Sequence, residues 1–100
     1  MASKYKIKHQ RLMRWDILTV EANLAEYPRK AKRIFEKMNK LLQMTQDMPR
    51  LWSCFDEAKK YRKIVIEDYI LLYEVDDEAR EIRPYRLLHS KMDIPRHIDT

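Results

Sequence analysis

Between Tyr61 and His89 the chain carries three runs rich in β-branched, aromatic and aliphatic residues, and only Glu67 and Asp68 separate the first two. A gap that short closes an antiparallel hairpin and fixes its register. Arg62, Ile64 and Ile66 then lie opposite Tyr73, Leu71 and Tyr69 on one face, while Tyr61, Lys63 and Val65 lie opposite Glu74, Leu72 and Ile70 on the other. The polar cluster Asp76 to Arg80 turns the chain into the third run, Glu81 to His89, and a three-stranded meander results. Its first face is mainly apolar and needs a cover, which the residues before 60 must supply. The second face carries charge at one end. To it the last strand adds either Arg83, Tyr85 and His89 or Pro84 and Arg86, according to a register the spacing leaves open.

Tyr5 to His9 alternates apolar and polar residues and predicts a short strand on the edge of the meander, where its lysines would blunt the edge. From Gln10 the period becomes helical: Leu12, Trp15, Leu18 and Ala22 with Met13, Ile17, Val20 and Leu24 form a broad apolar stripe running to about Glu26. Pro28 interrupts it, and proline is tolerated in the first turn of a following helix. In that second helix Ala31, Ile34, Phe35, Met38, Leu41, Leu42 and Thr45 share one face, expected to pack with Phe35 fully inside against Ile64, Ile66 and Leu71. Two amphipathic helices joined by about one residue fold back as a hairpin. The expected fold is α+β, a helix hairpin packed on a four-stranded, mainly antiparallel sheet in the order β-α-α-β-β-β. Asp47 to Lys60 reads as a loop after Pro49, with Trp52 and Phe55 plugging the end of the core. Lys91 to Ile98 is expected either as one turn of helix or as an extended piece before a polar tail.

One hundred residues make a single domain spanning 1–100, with one modest core. Glycine is absent, which removes every phosphate-cradling loop and with it the common nucleotide cofactors. Cys54 is the single cysteine and allows no internal disulfide; with His9, His89 and His97 it lacks the paired spacing of a zinc site, so no metal is expected. Ser53 and Ser90 have no glycine elbow for a hydrolase, and Asp76, Asp77, Glu78 and Glu81 lack the pattern of a calcium loop and read as a solvated turn. No apolar run approaches the ~20 residues of a membrane span, and no secretory signal precedes Tyr5, so a cytoplasmic location is expected.

With 21 Lys and Arg against 16 Asp and Glu the net charge is +5, which favours nucleic acid, the ribosome or an acidic protein as partner. Two groups of cations stand out. Lys30, Arg33, Lys37 and Lys40 recur at i, i+3, i+7 and i+10 on one helical face, either solvated or steering an acidic partner. Arg62, Lys63, Arg83, Arg86 and His89 lie on and beside the sheet, where cations could hold phosphates and an imidazole could take or give a proton. The plainer alternative for His89 is that it ends the last strand and bonds the backbone.

The order of elements, with YRKIVIEDYILLYEVDDEAREI leading into RLLHSKMD, resembles the RelE/ParE superfamily of bacterial type II toxins. The matching positions are Tyr61-Arg62 at a strand start, Tyr69 and Tyr73 in the central strand, Val75-Asp76 at its end, and Leu88-His89-Ser90-Lys91-Met92-Asp93 where the last strand ends. Ala31, Leu41-Leu42 and Pro49 agree more loosely. The resemblance implies a basic toxin held inactive by an acidic antitoxin. Its ParE-like branch poisons DNA gyrase without cleavage chemistry; its RelE-like branch cleaves mRNA on the ribosome. The Leu-His-x-x-Met-Asp ending looks more like ParE. A RelE-like member, which brings several basic residues and usually a late tyrosine or histidine to the sheet, would use His89, Arg62, Lys63 and Arg86 as its catalytic set, although after His89 this chain has Ser90 rather than a tyrosine. A third expectation is a non-toxic homologue kept for antitoxin binding.

Overall fold

In the computed structural model, which describes residues 4–98, the first hairpin has the register its two-residue turn imposes. Strands β2 (Arg62–Ile66) and β3 (Tyr69–Asp76) pair antiparallel with Arg62, Ile64 and Ile66 opposite Tyr73, Leu71 and Tyr69. Glycine being absent, Glu67 opens that turn in the left-handed region at φ 54°, and Arg80 does the same before β4 (Glu81–His89). An N-terminal strand, β1 (Lys6–Ile7), pairs parallel with β4, so the four-stranded sheet runs β1-β4-β3-β2. β1 is shorter than the alternation from Tyr5 to His9 suggests, yet its hydrogen bonding continues: Lys8 and Gln10 donate their backbone N–H to the carbonyls of Ile82 and Pro84. The tail after Ile98 lies outside the described residues.

Neither simple register of the last strand holds. Leu72 faces Arg86 but Tyr73 faces Pro84, so Tyr85 is an extra, bulged residue. Proline has no N–H to give to a central ladder, and a bulge is where a sheet accommodates one. Across the bulge the strand changes which residues face the helices: Ile82, Pro84, Leu87 and His89 lie opposite Val75, Tyr73, Leu71 and Tyr69.

Helix α2 (Pro28–Asp47) covers the apolar face, with Ile34, Met38, Leu42 and Thr45 buried against Ile64, Ile66, Leu71 and Tyr73. Phe35 is only partly buried, flanking that line rather than forming its centre, which corrects the expectation that placed it inside. Helix α1 (Arg11–Asn23) ends before the predicted Glu26, and Leu24 to Tyr27 link the two helices in place of a single residue. It follows the outer edge of β4 beyond β1. Its apolar stripe splits into two faces: Met13, Val20 and the following Leu24 are buried, whereas Trp15 and Leu18 are 60% and 56% exposed.

The other face of the sheet is covered too. Phe55, Tyr61, Leu72, Leu88 and Ile94 form a second apolar cluster, in which the Tyr61 and Tyr85 rings stack with centroids 4.6 Å apart. The loop after α2 crosses the edge of the sheet to reach it: Lys63 and Phe55 donate to the carbonyls of Ser53 and Tyr61, and Cys54 bridges to Arg62 along β2. Trp52 and Phe55 therefore plug opposite sides. Trp52 donates from Nε1 to Thr45 Oγ1 at 2.9 Å beside the main core, and Phe55 enters the second. A single 3₁₀ turn, Ile94–His97, supplies Ile94 to close that second cluster.

Candidate functional site

The four residues of the proposed cleavage set fall in three different rows across the sheet. Arg62 lies opposite Tyr73 and His89 opposite Tyr69, at the two ends of a four-residue span of β3 that measures about 13 Å at strand rise. Lys63 and Arg86 flank Leu72 in a row between them. Arg62, His89 and Arg83 each have a partner of their own. Arg62 donates from Nη1 to the Trp52 carbonyl at 2.7 Å, anchoring the loop. His89 Nδ1 accepts the Lys91 backbone N–H at 3.1 Å, and its ring meets Tyr69 edge-on at 5.3 Å. Arg83 joins Asp76 and Glu81 at 2.7 and 2.8 Å.

Arg86 is the most constrained of them. Its Nε and Nη2 donate to the two carboxylate oxygens of Asp16 on α1 at 2.7 and 3.0 Å, and its Nη1 donates to the His97 carbonyl in the last turn. The Asp16 hydrogen bonds raise its pKa against the opposing effect of burial. Asp16 also accepts the Leu87 backbone N–H at 2.9 Å, supplying the edge of β4 with an acceptor that β1 is too short to provide. One ion pair thus fastens α1, β4 and the C-terminal turn. An aspartate inside an apolar helical stripe was the sequence signal for it. Arg86 and His89 do share a hollow of about 480 Å³ with Asp16, Tyr69 and His97, so the fold brings these two together while Arg62 and Lys63 stay apart.

The basic stripe of α2 divides in half. Arg33 grips Glu67 with two hydrogen bonds of 2.8 Å, and Lys30 reaches Asp68 at 2.7 Å. These contacts hold both carboxyl groups below their ordinary pKa, and they tie down the glycine-free turn whose first residue is left-handed. Lys37 and Lys40 have no carboxylate within ion-pairing distance among the described residues. The acidic turn after β3 is likewise more than a solvated loop. Asp77 accepts Tyr5 Oη at 2.7 Å and pairs with Arg50 at 2.6 Å, while Asp76 accepts the Ala79 N–H. Tyr73, buried beneath α2, donates to the Pro49 carbonyl at 2.7 Å; burial pushes its hydroxyl up to about 12, so it remains a donor at any ordinary pH.

A family model described as the ParE toxin of the type II toxin-antitoxin system, parDE, matches residues 15–94, from α1 to the start of the last turn. The chain belongs to the ParE toxin family. Solved structures agree on the fold. The chromosomal ParDE toxin-antitoxin system from P. aeruginosa superposes with a TM-score of 0.71 at 15% identity, over 90% of this chain and 100% of that one. The RelBE2 toxin-antitoxin complex from Mycobacterium tuberculosis follows with a TM-score of 0.63 at 19% identity, over 86% and 98%. No curated protein sequence matches significantly. The ParE match includes Asp16, Arg86 and His89, and among the described residues no helix is long and apolar enough to cross a membrane.

Proposed function

We propose that this ParE-family toxin arrests growth by binding DNA gyrase, with no cleavage chemistry of its own, and that an acidic antitoxin neutralises it. The observation that carries the choice of target is the engagement of Arg86. Attack by a 2′-hydroxyl on RNA needs a proton acceptor, a proton donor and cations for the charge that builds on the phosphate. His89 is the proton-transfer candidate, but the cation beside it is held by Asp16, and Arg62 and Lys63 are elsewhere. Surfaces that bind need no such convergence. Membership of the ParE family supports the same target, and the likeness to ParDE and RelBE2 complexes supports an antitoxin partner. The second reading, ribosome-dependent mRNA cleavage, draws on the hollow that Arg86 and His89 share.

Expression without antitoxin separates the two. Wild type and His89→Gln should both arrest growth and both cause gyrase-dependent DNA breaks, with ribosome-bound mRNA intact; glutamine can still accept the Lys91 N–H. A ribonuclease would instead lose about 100- to 10,000-fold in cleavage rate on this substitution in a folded protein. Ribosome-dependent cleavage lost in this way would transfer the assignment to the ribonuclease, and growth without arrest would point to the non-toxic homologue.

For the antitoxin, Lys30, Arg33, Lys37 and Lys40 are proposed to steer encounter, with unequal weight. Glu67 and Asp68 already neutralise the first two. Lys37→Gln with Lys40→Gln should therefore slow association several-fold at low salt and progressively less as the Debye length falls to ~8 Å. Stopped-flow association with the cognate antitoxin measures this, and an unchanged rate removes both lysines from the role.

A further inference from the structure

Helix α1 has two apolar faces. Opposite Met13, Ile17 and Val20, the residues Trp15, Leu18 and Ala22 recur at i, i+3 and i+7, all exposed. That is an unpartnered stripe along a 13-residue helix rather than a scatter of single apolar side chains. Lys8, Arg11 and Arg14 surround its N-terminal end and, with Trp15 and Leu18, rim a shallow hollow of about 450 Å³. None of the three cations has a carboxylate within ion-pairing distance among the described residues, and the first turn of α1 contains no acid.

We propose that this face of α1 is the docking site for an acidic amphipathic helix. Its apolar side would pack on Trp15, Leu18 and Ala22, and its carboxylates would meet Lys8, Arg11 and Arg14; resting on the reading above, the antitoxin supplies this helix. Charge complementarity selects the occupant. A second copy of the chain fits poorly: antiparallel pairing centred between Trp15 and Leu18 sets Lys8, Arg11 and Arg14 against Ala25, Ala22 and Thr19, none of them acidic. Single-stranded nucleic acid favours successive flat platforms, whereas this stripe offers one aromatic ring followed by Leu18 and Ala22.

Trp15 provides the readout. Of the two tryptophans, Trp52 is half-buried, and Trp52→Phe leaves Trp15 as the sole indole. Titrating this variant with the cognate antitoxin should shift Trp15 emission to the blue as water leaves the ring. Adding Leu18→Glu and Ala22→Glu, at exposed positions, should raise Kd at least about 100-fold by setting carboxylates against an acidic apolar partner, with the far-UV spectrum and melting temperature retained. Arg11→Gln with Arg14→Gln should cost about tenfold, mostly in the salt-dependent association rate. A complex that forms with Trp15 emission unmoved and Leu18→Glu/Ala22→Glu binding intact overturns this docking face and leaves the antitoxin reading standing. No complex at all overturns both. A free-chain dimer that the same double substitution dissolves, or a single-stranded RNA 20-mer that quenches Trp15 more tightly than antitoxin binds, also overturns it.

Discussion

Asp16→Ala is expected to destabilise the domain by about 3 kcal/mol, because it leaves a guanidinium and a strand N–H without their acceptor. The pair is largely enclosed, with 15% and 11% of the Arg86 and Asp16 side chains exposed. The adjoining hollow admits some water, which places the cost at the low end of what breaking a buried ion pair entails. Removing both charges should be gentler than removing one. Asp16→Leu with Arg86→Met should recover part of the loss, because the desolvation penalty disappears with the attraction, although Leu87 N–H remains unpaired. Urea melts of the wild type, Asp16→Ala and the double variant test this. A single variant within about 0.5 kcal/mol of wild type would show that the pair does not fasten α1 to β4.

Ile34→Ala should cost about 3 to 4 kcal/mol, and Phe35→Ala less than half of that despite the larger side chain removed. Ile34 is fully buried in the line Ile34–Met38–Leu42 that faces the sheet, so its truncation leaves a cavity; the partly buried Phe35 loses area that water can reoccupy. In a domain with about 5 to 15 kcal/mol of total stability, the first change brings the fold near its limit. Equal denaturation midpoints for the two variants, or the reverse order, would put the wrong face of α2 against the sheet.

The hairpin register was legible because side-chain alternation and a two-residue gap allow one pairing only. The helices were legible from their periods, and Ile34, Met38, Leu42 and Thr45 lie on the face expected of α2, but how deeply each apolar side chain is buried was not. α1 carries enough apolar residues for two faces, and periodicity says only that Met13 and Trp15 lie on different sides, not which side meets protein. The bulge at Tyr85 escaped the simple count of registers, although Pro84 in a strand with neighbours on both sides was the clue. Ion pairs were the least readable. Lys30 and Arg33 look identical in spacing to Lys37 and Lys40, and only the position of the β2–β3 turn beneath the first turns of α2 distinguishes anchored cations from free ones. For the same reason the basic residues Arg62, Lys63, Arg86 and His89 do not form one cluster: Arg86 and His89 share a hollow, with Arg86 held by Asp16, while Arg62 and Lys63 stay apart from it on β2.

The placement of β4 between β1 and β3 sets the order in which the molecule can be completed during synthesis. Asp16 must wait for Leu87, 71 residues later, before it has its strand partner, and β1 has no strand to pair with until Glu81 and Ile82 have been made. A nascent chain stopped before residue 80 therefore contains both helices and the β2–β3 hairpin but lacks the lane into which β1 and α1 dock. Such non-local closure is slow relative to hairpin and helix formation. The surface proposed above to arrest growth is thus assembled only after β4 has been translated, and products truncated before Glu81 should be inert and degraded rather than harmful.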